Sequence, residues 1–344
     1  MIPGLWLLAA ATAGAAEWRA QLGGEFNADS HGIADVGVRS GELSAELLTD
    51  TLDLRWQPES DRGRAWLGPR VATFAGNLLI SPWRDGAPAP ELALTAGYAG
   101  TEMGALAYLP RGLYVGATGH VRTWWFGTMA QTRGAAPRPQ ARTQADAVLG
   151  WWHPSAHAWA RVGLDYAPAG DFVVQPHAQL TATSRADGWV VAPRAELRAG
   201  AGRGQDELSR TLVGGLNPYV VPLAGAAWGE LRMDEYVAGR LGPSLRVGQW
   251  QLDAVVDAVW GQHVVVASDP RAATTPVAPD CGSIRSLDGA SCERTTVTAM
   301  GFGLLTRWQP ERMFVQVDAG WAPWLPRQTG PAISAFAVIG RDWG

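Results

Sequence analysis

The strongest constraint on this chain is a two-residue alternation, with charged side chains on one parity and small or aliphatic ones on the other. From Glu17 to Phe26 the odd positions read Glu17, Arg19, Gln21, Gly23, Glu25 and the even ones Trp18, Ala20, Leu22, Gly24, Phe26. A β-strand sends successive side chains to opposite faces, so such a segment has one wet face and one greasy face. The same split returns at Trp189–Ala199, Trp228–Arg240, Gln251–Trp260 and Met313–Trp321.

Alternation alone also fits a soluble sandwich, and the side-chain types separate the two. The polar parity is repeatedly fully charged, with arginine beside carboxylate. The apolar parity is rich in alanine, with aromatic residues towards the segment ends. A buried sandwich layer favours bulkier aliphatics, whereas a membrane barrel needs apolar-out, polar-in strands with aromatic girdles. The pattern predicts an all-β chain: a single antiparallel transmembrane β-barrel over residues 17–344. No window approaches the ~18 consecutive apolar residues of a spanning helix. The 42 glycines and 23 prolines disfavour helices, and the 18 tryptophans suit membrane–water interfaces.

The first sixteen residues read as a signal peptide, with an apolar core from Ile2 to about Ala11. A small-x-small cleavage site follows at Ala13-Gly14-Ala15 or Gly14-Ala15-Ala16. Export implies an oxidising compartment. Cys281 and Cys292, in a stretch dense in Pro, Asp, Ser and Gly, are therefore expected to form a disulfide closing a surface loop. A metal pair there would lack a third ligand, since no histidine follows His263, and no metal or cofactor site is expected. Net charge is −4 and all 28 basic side chains are arginine, with no basic stripe, which argues against nucleic acid as a partner.

Short polar turns are expected at Pro58–Gly63, Pro110–Gly112, His153–Ala156, Arg185–Gly188, Gly248–Gln249 and Gln309–Glu311. Long connections are expected at Asn27–Gly41, Ala75–Pro90, Gly127–Arg142, Ala201–Ala227, Ala267–Arg294 and Pro323–Pro331, with the short Ala167–Gly170 among them. The two classes alternate, as they do in outer-membrane barrels with short periplasmic turns and long outside loops. The alternation gives about 14 strands, within a range of 12 to 16, and both termini in the periplasm. The closing segment, Ala332–Trp343, ends on an aromatic like the terminal strands read by the barrel assembly machinery.

The strand phases place Arg19, Glu25, Arg64, Arg70, Arg122, Arg161, Asp165, Arg194, Glu196, Arg198, Glu230, Arg232, Asp234, Arg240, Asp253, Asp257 and Asp318 on the lumen side, with Glu17 and Arg307. Both signs in near-equal number fit either a water-filled pore with a transverse field or a lumen closed by ion pairs. His120, His157 and His177 share that face but have no serine on a neighbouring inner position, so no nucleophilic catalysis is expected of them. The run Gly200–Gly204 follows no Rossmann-type strand and opens no helix, so it is not a phosphate loop.

The segment Val213-Gly214-Gly215-Leu216-Asn217-Pro218-Tyr219-Val220-Val221-Pro222-Leu223-Ala224-Gly225 leads into a strand bearing Asp234-Glu235-Tyr236. Downstream come Met300-Gly301-Phe302-Gly303-Leu304 and Val315-Gln316-Val317-Asp318-Ala319-Gly320. Together these resemble the C-terminal barrel of the surface-antigen superfamily, the outer-membrane assembly and secretion factors and the barrels of patatin-type autotransporters. The resemblance covers about the last third of the chain. It implies that the Ala201–Ala227 loop folds into the lumen as a partial plug, through Gly214, Gly215, Asn217, Pro218, Tyr219, Pro222 and Gly225. The apolar stretch Leu216–Leu223 points the same way, because it needs burial. Three functions follow as expectations. First comes a channel or porin-like barrel for a small solute, set in outer-membrane lipid. Next is an assembly, secretion or anchoring barrel without periplasmic modules, and last an outer-membrane hydrolase.

Overall fold

The computed structural model describes residues 16–26, 31–49, 51–72, 79–80, 83–84, 87–90, 93–132, 136–167, 174–185, 190–206, 208–216, 220–268, 290–325 and 331–343. Alternating segments become strands that pair antiparallel with their sequence neighbours: β1 (Glu17–Phe26), β2 (His31–Ser40), β3 (Leu43–Leu48), β4 (Thr51–Trp56), β5 (Gly63–Ala72), β6 (Leu94–Tyr108), β7 (Leu113–Thr128) and β8 (Gln140–His153). The second half continues with β9 (Ala156–Tyr166), β10 (Val174–Arg185), β11 (Val191–Gly202), β12 (Leu231–Val247), β13 (Trp250–Ser268), β14 (Ala290–Trp308), β15 (Met313–Trp321) and β16 (Ile333–Arg341). Pairing of β1 with β16, from Ala20↔Arg341 to Phe26↔Ala335, closes the ring.

The barrel has 16 strands among the described residues, not about 14. The two extra strands lie near the start of the chain. Asn27–Gly41, expected to be a long connection, contains β2, whose apolar parity is carried by Ala34, Val36 and Val38. The following stretch splits into β3 and β4 at a tight turn that neither glycine nor proline marks. Thr49 occupies a left-handed conformation there (φ 49°), and its hydroxyl accepts the Ala34 N–H at 3.1 Å. A β-branched residue seldom adopts that conformation, so Thr49 does not announce the turn, and Asp50 is the one turn-favouring residue between the strands.

The two ends of the barrel differ. Connections 41–42, 57–62, 109–112, 154–155, 186–190, 248–249 and 309–312 lie at one end, together with both described termini. At the other end lie the strand ends between which the chain runs through 73–93, 129–139, 203–230, 269–289 and 322–332, and through the shorter 27–30, 49–50 and 167–173. These are called the turn end and the loop end below.

The outer face is apolar and exposed, as at Leu22, Val162, Leu241, Val317 and Ile339. Exposed aromatics ring both ends: Trp18, Trp56, Trp152 and Trp250 towards the turn end, and Phe26, Tyr166, Trp260 and Trp321 towards the loop end. On the inner side, large rings lie over glycines of the next strand, Trp66 over Gly104, Tyr114 over Gly150 and Tyr236 over Gly200. This gives inward-facing glycines a packing role in otherwise thinly furnished strands. The residues expected to form a signal peptide lie outside the described residues apart from Ala16, as do Cys281 and the side chain of Cys292, so the expected disulfide falls there too.

Candidate functional site

Charged side chains meet across the concave face of the sheet. Arg194 of β11 reaches Asp253 of β13 at 2.8 Å, over the top of β12, and Arg55 of β4 reaches Glu102 of β6 at 3.3 Å, over β5. Only inward-curving side chains can bridge strands that are not neighbours. Arg19 pairs with Asp35 at 3.0 Å and with Glu46, and Arg70 with Glu102 at 3.0 Å. Arg122 also meets Glu102, Arg198 meets Glu196 at 2.5 Å, and Arg240 clasps Asp257 through two bonds of 2.6 and 2.8 Å. Arg161 donates to Gln179 at 2.9 Å, and the Arg64 guanidinium lies over the Trp66 ring at 5.6 Å. Asp318 accepts from Gln316 at 2.6 Å and from the Thr306 N–H at 3.1 Å. Arg307 lies over Phe314 and pairs with Asp342 at 2.8 Å, while Glu17, at the turn-end rim, is exposed.

The structure brings further charged residues to this face that the strand phases did not: Asp35, Glu46, Asp53, Arg55, Glu102, Arg142, Asp146, Asp206 and Arg210. Asp35 to Arg55 were hidden by the unread strands β2–β4. Glu102 sits alone among Gly, Ala and Thr in β6, where alternation is faint.

Within β12 a one-residue bulge between Met233 and Tyr236 reverses the side-chain phase. Leu231 and Met233 therefore join Tyr236 in one buried cluster with Val213, Val221, Leu223 and Ala226. Asp234 pairs with Arg210 at 2.9 Å and Arg294 at 3.3 Å, Arg232 is buried, and Glu230 accepts the Ala227 N–H at 2.7 Å.

The connection 203–230 does not stand out from the barrel but crosses its interior. At its start Asp206 receives both Nη1 bonds of Arg142, at 2.8 and 2.9 Å, while Nη2 of the same guanidinium serves Asp165 at 2.7 Å and Gln175 at 3.1 Å. Asp206 also caps the N–H groups of Leu208 and Ser209, at 3.0 and 3.2 Å. Burial, the largest influence, raises the Asp206 carboxyl; Arg142, the Leu208 N–H and Gln175 together outweigh it and hold the group below the usual carboxylate range.

Residues Thr211–Val213 then add a short strand to the extended start of β12. Gly214 and Gly215 adopt left-handed or otherwise positive φ (122° and 98°), and Gly215 backs directly onto the Glu25 carboxylate, leaving no room for a side chain. That carboxylate accepts the Leu216 N–H at 3.2 Å, and Leu216 packs with Ile33, Phe314 and Phe336, on the far wall of the barrel. The chain returns along Val220–Gly225. Arg198 holds the Val220 carbonyl at 3.1 Å, Asp257 the Ala224 N–H at 2.8 Å, and Ser334 the Gly225 N–H at 3.0 Å. Gly301 and Gly320 of the wall lie against the Ala224 and Gly225 backbone. Pro222 lines the cavity on the β11–β16 side, and Asn217, Pro218 and Tyr219 lie outside the described residues.

The loop divides the lumen. On one side are cavities of about 340 and 470 Å³ that share His120, Arg122, Gln144 and Arg161; on the other is one of about 550 Å³ near Arg194, Arg240 and Asp318. Among the histidines, His177 bonds Asp146 at 2.8 Å, His157 bonds the Tyr114 hydroxyl at 2.8 Å, and His120 lines the first two cavities. None of the three meets a serine hydroxyl among the described residues. Beyond the last strand, Trp343 lies beneath the Arg19 guanidinium and against Gly37.

No protein-family model matches the sequence, and no curated protein matches it. Solved structures do share its fold. CdiB from Acinetobacter baumannii aligns with a TM-score of 0.59 at 11% identity, over 95% of this chain and 60% of that one. CdiB from Escherichia coli aligns with a TM-score of 0.58 at 9% identity, over 95% of this chain and 62% of that one. The chain therefore spans about three fifths of the length of these proteins. Its fold is that of the large closed barrels of bacterial outer membranes.

Proposed function

We propose that the chain is an outer-membrane barrel working as a channel whose lumen is narrowed by the 203–230 loop. The outer face supports the membrane setting. Trp250 and Trp260 stand ten residues apart on one outward row of β13. That is about 33 Å along the strand, or about 25 Å after a tilt of about 40°, the height of the apolar band of such barrels. With both described termini at the turn end, the short turns face the periplasm and the long connections face outward in this reading.

The observation that carries the channel reading is the way the loop is held. It is fastened to the β13–β16 wall and leaves polar cavities beside it, where a continuous apolar core would have sealed the barrel. Planar-bilayer recordings test this. Small, discrete conductances are expected for the intact protein and larger ones after removal of residues 214–225. Silence in both would end the channel reading.

A second reading, an assembly, secretion or anchoring barrel of the surface-antigen kind, is favoured by the likeness to the CdiB barrels and by the in-folded loop between β11 and β12. It predicts that crosslinking in cells captures a periplasmic or passenger protein. A solitary monomer under those conditions counts against it.

A further inference from the structure

The wall from β4 to β9 carries more arginine than its carboxylates can match. The cavity of about 470 Å³ is lined by Arg55, Arg64, Arg122 and Arg161 against Glu102 and Asp146. Asp53 of β4 takes Arg55 through two bonds of 2.6 and 3.0 Å, and Glu102 is shared among Arg55 at 3.3 Å, Arg70 at 3.0 Å and Arg122. Asp146 is engaged by His177 at 2.8 Å and Gln144 at 2.7 Å, so Arg161 stands off at 3.7 Å. Arg64 makes no ion pair among the described residues. Across the lumen the signs are matched pair by pair, Arg194 with Asp253, Arg198 with Glu196 and Arg307 with Asp342.

The surplus guanidiniums are also held in a particular way. Arg64 lies over Trp66 at 5.6 Å, Arg161 over Trp159 at 5.8 Å and Arg122 over Tyr98 at 4.5 Å. A guanidinium held by the π cloud of a ring keeps N–H donors for an acceptor, and its fork matches the paired oxygens of a carboxylate or phosphate. A lysine in the same place would offer only a point charge, and this chain has none.

We propose that this cavity is a binding site for a small oxyanion, the carboxylate or phosphate group of a solute in the lumen. The proposal rests on the channel reading and gives that reading a solute class, but its test is separate. Isothermal titration of the folded protein in detergent, with citrate and with inorganic phosphate, is compared with chloride at matched ionic strength.

Saturable binding of citrate, phosphate or both is expected, and the arm that responds identifies the group. The double variant Arg64→Gln/Arg161→Gln should bind at least about tenfold more weakly, having lost charge-assisted bonds. The corresponding lysine pair should fall between. Glu102→Gln, which takes the carboxylate from Arg70 and Arg122 while Arg55 stays on Asp53, should bind more tightly, a gain that misfolding does not produce. Heat-modifiable migration on gels verifies folding of each variant.

Absence of binding beyond chloride, or equal affinity in the double glutamine variant, overturns the proposal. A protein that binds citrate through Arg64 but never conducts would end the channel reading and leave the site standing. A conducting protein with no such binding would do the reverse.

Discussion

The two sides of the lumen are built on opposite plans. On the β13–β16 side the loop backbone is received like an extra layer of protein. Side chains of Asp257 and Ser334 accept its N–H groups, glycines make way for it, and Val213, Val221 and Leu223 pack into an apolar cluster with the wall. On the β4–β9 side the loop reaches only part of the wall, through Asp206 on Arg142, and Arg55, Arg64, Arg122 and Arg161 are left around a cavity, three of them near aromatic rings. The contrast teaches that a polar inner face can serve two ends in one barrel. Where carboxylates and a hydroxyl receive the loop's backbone N–H groups, it holds a plug. Where arginine is in excess, it stays open to solutes.

The sharpest way to break that contrast is Asp257→Ala. It strips Arg240 of a two-bond partner and leaves the Ala224 N–H without its acceptor, both in buried surroundings. Orphaning a buried charge costs about 3–5 kcal/mol. The folded band should therefore melt at markedly lower temperature in detergent, and an unchanged melting point would show that the wall does not depend on this clasp.

Gly225→Ala should come next. Gly225 has a φ of 89°, and a Cβ there would collide with the backbone nitrogen of Ala322. The unfavourable φ alone costs about 1–3 kcal/mol. The expected result is a loop that leaves its seat while the barrel survives, read as new protease cleavage between residues 203 and 230. Full protection would place the seat elsewhere.

A smaller effect is expected from acid. Because the folded Asp206 carboxyl is held below its ordinary value of 3.8, its anchoring contribution is complete above that value and is lost as pH falls through the lower folded value. Loop protection should thus persist from neutral pH down to about 4 and decline only below it. Loosening between pH 7 and 5 would contradict the Arg142–Asp206 anchor.

The smallest effect on stability belongs to Arg64→Gln on the open side. Its side chain is exposed and unpaired among the described residues, so the melting point should shift by no more than the equivalent of about 0.5 kcal/mol.

Much of this architecture was legible in the residues because a period of two is hard to imitate. Strands such as β1, β11, β13 and β15 declare both faces through Arg, Asp and Glu on one parity and Leu, Val and Trp on the other. The strand number was not legible, because β2 hides among Asn, Asp, Ser and Gly, and the β3–β4 turn at Thr49 is marked by a lone Asp50, with neither glycine nor proline. The phase reversal in β12 was equally silent, since a bulge needs one extra residue and no special one. The arginine excess could not be counted either. Its meaning depends on Glu102 serving three partners, and that sharing arises only when β4, β5, β6 and β7 curve together.

The ring is also uneven in height. Strands β3 and β4 have 6 residues each, whereas β13 and β14 have 19. Six residues reach about 20 Å before any tilt, short of the roughly 25 Å apolar band such barrels present. In a bilayer the acyl chains beside β3 and β4 would have to shorten or splay, while those beside β13 and β14 lie at full length. The protein would then carry its own shallow dent in the surrounding leaflet, on one side only.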